Sequence, residues 1–296
     1  MRAIFILCSL VLVLLSCIKN NPDPVWIEVH EWSLEANTDV QANDAGVLTH
    51  NITDAWLYVG GKLIGVFQVP FKVPVLLSGN QEIKIFPTIK NNGISATKKI
   101  YPFLEEYSVT ADLVQNETYV IDPVTRYKKE TVFTIQDFED QLNIEEASTS
   151  TATLVKVNDP TYFNEFINGG ASGHYGQILM DQSQNIYKAS SNFYTAYGML
   201  LPKGEEVYLE IDYFTTVDFV TGLLAITVNG TTENPMIQLN KQDASPVQWK
   251  KIYIDLREVV SGLQDAQYFE FTFNAELGGD VTSGVVNIDN IKAVHF

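Results

Sequence analysis

Glu210 and Asp212 stand two residues apart within Val207 to Phe214, and Glu205 and Glu206 are adjacent. Carboxylates at strand spacing share a face, and a facing pair is what glycoside hydrolysis requires of its acid and its nucleophile or base. Among 36 Asp and Glu such pairs also arise by chance, and no further motif accompanies either one. His30, His50, His174 and His295 lie far apart, with no metal-ligand spacing between them. Ser172-Gly173-His174 sits in a glycine-rich stretch that lacks the Gly-x-Ser-x-Gly elbow, and no Gly-Lys-Ser or Gly-Lys-Thr phosphate loop occurs. The chain is therefore expected not to be an enzyme.

Aromatic residues offer a different chemistry. Apolar sugar faces stack on rings while neighbouring polar groups fix the hydroxyls, so rings beside Asp, Glu or Asn are the ones of interest. Tyr162 to Phe166 and Phe193 to Tyr197 provide them, with Tyr162, Phe193, Tyr194 and Tyr197 as candidate platforms and core packing as the alternative use of each ring. A polar sheet face built from Glu210, Asp212, Thr272 and Asn274 is the second candidate surface, its alternative being a plain solvated face. Trp249 opens a strand and is expected in the core.

Composition narrows the partners. Nineteen Lys and Arg against 36 acids give a formal charge of −17, which repels a phosphate backbone and argues against nucleic acid. A hydrophobic fraction of 46% with 19% charged residues belongs to a globular chain, long enough for about two domains.

The N-terminus reads as an address. Arg2 precedes an apolar or small stretch from Ala3 to Leu15, too short for a stable bilayer span. Leu14-Leu15-Ser16-Cys17 resembles a bacterial lipobox, which implies cleavage after residue 16 and acylation of Cys17. Cys8 lies in the discarded segment, so no disulfide is expected after processing. The segment resembles the start of Bacteroidetes lipoproteins, and because Ile18 after the cysteine is not the Asp of inner-membrane retention the resemblance implies the outer membrane, either leaflet. Residues 17–24, rich in Asn and Pro, are expected to form a tether.

The elements that must position the candidates are strands. Val25 to Glu35 alternates with strand period, and Ala55 to Val59, Gly60-Gly61 and Lys62 to Val69 predict a hairpin. Asn91-Asn92-Gly93 predicts a second hairpin turn, followed by strands over Tyr107 to Leu113 and Thr118 to Ile121. Turns every 8 to 12 residues or so predict an immunoglobulin-like β-sandwich over residues 25–128. Leu57 to Gly65, with Pro74, Leu76, Gly79 and Ile83-Lys84-Ile85, resembles the PEGA-type surface modules, without their Pro-Glu-Gly-Ala signature.

Residues 135–296 form the second expected domain. Phe269, Phe271 and Phe273 alternate with Glu270, Thr272 and Asn274, and Leu209, Ile211 and Tyr213 alternate with Glu210, Asp212 and Phe214. Gln136 to Glu146 is the one stretch with a helical pattern. The opening Asp137-Phe138-Glu139-Asp140, the block Gln248 to Leu256 and the closing Asn287-Ile288-Asp289-Asn290-Ile291 resemble the galactose-binding-like jelly roll of many carbohydrate-binding modules. The fold class expected is thus all-β, an immunoglobulin-like sandwich followed by a jelly roll. The resemblance also implies a structural calcium between Glu139 and Asp289, the alternative being two acids without an ion, and it implies glycan binding without catalysis. Two rival functions stay open, a structural subunit docked on an outer-membrane protein assembly and an unrecognised glycoside-active enzyme.

Overall fold

A computed structural model describes residues 23–38, 45–162 and 173–296. The expected signal segment, Cys17, most of the tether, and Gly169 to Ser172 lie outside the described residues. The chain is almost entirely β. In its first half run β1 (Val25–Val29), β2 (Ser33–Glu35), β3 (Asp54–Val59), β4 (Lys62–Gln68), β5 (Phe71–Val75), β6 (Gly79–Lys90), β7 (Lys98–Ile100), β8 (Tyr107–Leu113), β9 (Thr118–Ile121) and β10 (Val124–Arg126). The second half continues with β11 (Val132–Gln136), β12 (Ile144–Glu146), β13 (Leu154–Val157), β14 (Tyr175–Asp181), β15 (Ile186–Ser191), β16 (Val207–Thr215), β17 (Asp218–Thr227), β18 (Gly230–Leu239), β19 (Lys250–Asp255), β20 (Tyr268–Glu276) and β21 (Ser283–His295).

The first half folds as three sheets, β4-β3-β6-β7 with β8 also on β6, β5-β1-β9, and the short pair β10-β2. Gly60 and Gly61 turn β3 into β4 at φ of 55° and 72°, as the Gly-Gly signal predicts. The expected single strand over Val25 to Glu35 is instead broken into β1 and β2. Trp32 sits in the break, buried, with its Nε1 donating to the Asp54 carbonyl at 3.2 Å. Burying one large ring outweighs continuity of the pleat.

In the second half a six-stranded sheet, β13-β14-β21-β16-β19 with β11 on β21, faces a five-stranded one, β12-β15-β20-β17-β18. Leu209, Ile211 and Tyr213 from β16 and Phe269, Phe271 and Phe273 from β20 meet in the core between them, so both alternations point their apolar sides inward. Gln136 to Glu146 is not helical. Phe138 is fully buried at φ 61°, and Gln136 Oε1 accepts the Asn143 amide at 2.7 Å, which ties the segment into a loop leading to β12. Trp249 is buried as expected, and its Nε1 donates to the Tyr162 carbonyl at 2.9 Å.

Gly222 marks a register shift where β17 meets β18. A Cβ there would lie 2.3 Å from the Asn234 carbonyl oxygen, a backbone atom that cannot rotate away. Gly222→Ala is expected to destabilise the protein by about 1–3 kcal/mol in urea denaturation, the range for overpacking. An unchanged midpoint would show that the β17-β18 edge can spread at no cost.

Candidate functional site

The outer face of the five-stranded sheet is open. Along β20 the residues facing away from the core are Tyr268, Glu270, Thr272 and Asn274, and a shallow cavity of about 270 Å³ lies over this face. Lys188 and Ser190 of β15, Leu224 of β17, Glu233 of β18 and Glu145 of β12 line it together with Thr272 and Asn274. Several of these groups are fixed by neighbours: Asn274 Nδ2 donates to Glu233 Oε1 at 3.0 Å, and Ser190 Oγ donates to Glu270 Oε2 at 2.7 Å. Thr272 Oγ1 is buried with no hydrogen-bond partner among the described residues.

An aromatic platform stands at one end of the same strand. Phe193 begins the five-residue helix Phe193–Tyr197 and is buried against Phe271, ring centroids 5.8 Å apart. Anchoring Phe193 inward turns the next residue, Tyr194, outward over Tyr268, where the rings stack at 4.0 Å and 10°. Gly198, at φ 69°, ends the helix and donates its amide to the Tyr194 carbonyl at 2.8 Å. Tyr268 and Thr272 are four residues apart, roughly 13 Å along the strand, so platform and cavity form one track. Tyr194 remains 38% exposed.

The other candidates separate. Glu210 and Asp212 do not share a face with Thr272 and Asn274. They lie on β16, whose outward side is covered by the first half of the chain, and both are fully buried. That corrects the expectation that the four residues build one polar binding surface. Phe193 is core and is no platform, and Tyr162 is half-buried beside Phe214 and Trp249. Tyr197 is 55% exposed, but its hydroxyl accepts Asn143 Nδ2 at 2.6 Å and it borders a separate groove with Leu200 and Val132. Glu139 is engaged by His174, accepting its backbone amide at 2.6 Å and lying 3.0 Å from its Nδ1. Asp289 is buried on β21. Among the described residues no three His, Cys, Asp or Glu side chains are grouped to hold a metal ion.

Comparison with known proteins gives partial overlaps. A family 11 carbohydrate-binding module from a cellulosomal cellulase of Clostridium thermocellum superposes with a TM-score of 0.33 at 14% identity, covering 55% of this chain and 95% of the module. A variant of a family 29 carbohydrate-binding module complexed with mannohexaose gives 0.33 at 9% identity, over 56% of this chain and 92% of its own. The enzymatically active domain of tailspike protein 4 from bacteriophage CBA120 gives 0.37 at 11% identity over 53% of this chain, which spans only 20% of that protein. No family model matches the sequence, and no curated protein matches it significantly.

What sequence reading missed is the use made of Glu210 and Asp212. Lys251 Nζ lies 2.9 Å from Glu210 Oε2 and 3.4 Å from Asp212 Oδ1, and donates to Thr49 Oγ1 at 3.0 Å. Glu210 Oε1 also accepts the hydroxyls of Tyr101 and Tyr127, at 2.6 and 2.8 Å. Burial alone would raise the Glu210 pKa, but the charges of Lys251 and Lys292 reverse this and hold it below the usual range. Lys251 likewise loses hydration on burial, yet Asp212 and Glu210 keep it charged and raise its pKa. These carboxylates and their cation are buried and face one another and the first half.

Lys292 behaves differently. Burial, reinforced by the charge of Lys251, pushes its pKa down to about 8, while Glu210, Asp212 and Asp289 oppose the shift. Its Nζ donates to the carbonyls of Ala45 and Val47 at 2.5 and 2.6 Å, bonds that a neutral amine with two N–H groups can still make. Between about pH 8 and the ordinary value of 10.5, the unfolded chain holds a proton that the folded chain has released, so this group makes stability rise with pH across that window. The stability difference between wild type and Lys292→Met, from urea melts at stepped pH, is expected to grow from pH 8 to 10.5. A flat or falling difference would show that Lys292 stays charged in the fold.

Proposed function

We propose that the chain is a lipid-anchored, non-catalytic envelope protein that binds a neutral glycan on the outer face of the β12-β15-β20-β17-β18 sheet. The observation that carries this reading is the stacked Tyr194–Tyr268 pair, whose Tyr268 lies on the strand that also lines a polar cavity with Thr272 and Asn274. A ring platform holds the apolar face of a pyranose, and a pre-positioned row of amide, hydroxyl and carboxylate groups addresses its hydroxyls. Charge favours a neutral ligand. Glu145, Glu146 and Glu233 line the cavity against the single cation Lys188, a balance that repels uronate or sulfate chains.

Anchoring is inferred from the Leu14-Leu15-Ser16-Cys17 sequence, and the outer membrane from Ile18 at the following position. A second reading, a structural subunit of an outer-membrane assembly, draws on another place: the groove of about 680 Å³ bordered by Tyr197, Met199, Leu200, Val132, Phe133 and Ile135. A stoichiometric partner that co-purifies from native membranes and is lost on Leu200→Glu would favour that reading.

Affinity electrophoresis through gels containing neutral polysaccharides, with alginate and polygalacturonate as acidic controls, tests the glycan reading. At least one neutral polymer should retard the wild type, and Tyr194→Ala with Tyr268→Ala should weaken retention at least about tenfold, as expected when aromatic anchors are truncated. Retention by the acidic polymers alone, or retention indifferent to both tyrosines, would remove the reading. Cys17→Ala should move the chain from the detergent phase to the aqueous phase on Triton X-114 partition.

A further inference from the structure

A second cavity, of about 360 Å³, opens where the two halves of the chain meet. Its first-half wall is the Asn91-Asn92-Gly93 turn, which is docked on β19: the Asn92 amide donates to the Tyr253 carbonyl at 2.9 Å, and Asn92 Oδ1 accepts the Asp255 amide at 2.8 Å. Gly93, at φ 71°, lets the turn approach until a Cβ would sit 3.1 Å from Ile252 Cδ1. Lys90 and Lys250 face this cavity from opposite halves, with Asn51, Asn92, Gln238 and Asn240 around them. Lys251 borders it as well, and among the described residues no Asp or Glu lines it.

The two lysines are unlike the other cations near the seam, which are held by carboxylates or, for Lys292, by two carbonyls. Lys99 is paired with Glu206 and Asp255, and Lys251 with Glu210 and Asp212. Lys98 reaches Asp54, and Lys241 on the neighbouring loop reaches Asp218. Lys90 and Lys250 are half-buried and have no ion pair among the described residues. In a chain of charge −17, counter-charges are abundant, so two half-buried lysines beside a cavity that no described Asp or Glu lines form a local exception to the molecule's field. The volume lies at the small end of the range for small-molecule sites, and side-chain amides supply both donors and acceptors for hydroxyl groups.

We infer that this cavity binds a small polyhydroxylated anion, an acidic sugar whose carboxylate or phosphate lies between Lys90 and Lys250. The site is separate from the Tyr194–Tyr268 track and does not depend on it. Detergent-solubilised full-length protein is titrated calorimetrically with sodium glucuronate, glucose 6-phosphate and glucose at about 0.15 M NaCl, a strength that screens long-range attraction. At least one acidic sugar should bind saturably and weaken with added salt, and glucose should bind at least about tenfold more weakly, since hydrogen bonds to charged groups contribute the larger share. Which of the two binds identifies the anion as carboxylate or phosphate. The double variant Lys90→Gln, Lys250→Gln should lose binding by at least about tenfold with an unchanged melting curve, while Tyr194→Ala should bind as wild type does. Absence of saturable binding of both acidic sugars up to about 10 mM, weaker than any useful small-ligand site, overturns the inference. Equal binding by the double variant, or by glucose, does so as well.

Discussion

Strand β16 is buried on both faces, and the arrangement of the rest of the molecule follows from that. All nine residues from Val207 to Thr215 are buried. One side, Leu209, Ile211 and Tyr213, enters the core between the two sheets of the second half, while Tyr208 belongs to the core of the first half. Glu210 and Asp212 on that second side therefore carry charge into a space closed by protein. Each must be matched on the spot, because removing one partner of such a group typically costs about 3–5 kcal/mol. Lys251 comes from the adjacent strand of the same sheet, but Thr49, Tyr101 and Tyr127 come from the first half. The donors are satisfied in one relative placement of the two halves, so the network fixes register across the seam more than it adds net stability.

This explains which surface is free. The six-stranded sheet has its outward side occupied along β16, β19 and β21, where Tyr208, Tyr253 and Val294 join the core of the first half. Among the described residues the five-stranded sheet has no such cover. Its outward residues keep polar side chains in water or in shallow contact with one another, and Tyr194 and Tyr268 cover each other in place of a protein neighbour. A stacked pair shields half of each ring and leaves the outer face of Tyr194 presented, a rigid arrangement that loses little conformational freedom when a ligand arrives.

The two β alternations looked alike in sequence, and the structure uses them differently. Phe269, Phe271 and Phe273 against Glu270, Thr272 and Asn274 has the same period as Leu209, Ile211 and Tyr213 against Glu210, Asp212 and Phe214. Period reports which side is the core; it carries no information on whether the polar side meets water or another part of the chain. A weak signal did exist. The polar side of β16 includes Tyr208 and Phe214, and the facing stretch of β19 alternates Lys251 and Tyr253, a mixture of charge and ring that suits a closed interface better than a wet one. The Asn91-Asn92-Gly93 turn was legible as a turn from its chemistry, whereas its docking on Asp255 spans more than 160 residues of sequence and no local pattern encodes that. The helix-like spacing over Gln136 to Glu146 failed because a buried Phe138 in a left-handed conformation and a side-chain bond from Gln136 outweighed it.

The distribution of positive charge connects the seam to the open face. With 19 basic residues against 36 acids, a cation without a carboxylate neighbour needs a local reason. Where the halves join, the reason for Lys251 is the pair of buried carboxylates, and for Lys292 it is the two carbonyls that accept from an amine able to release its proton. On the open face Lys188 stands among three glutamates that border the same cavity, so the field there stays negative and discriminates against acidic chains. Lys90 and Lys250 reverse that sign within one small volume, from opposite halves of the chain. Because each half contributes one of them, the positive cavity exists only when the seam is closed, and an anion bound there would stabilise the closed seam by the free energy of its own binding.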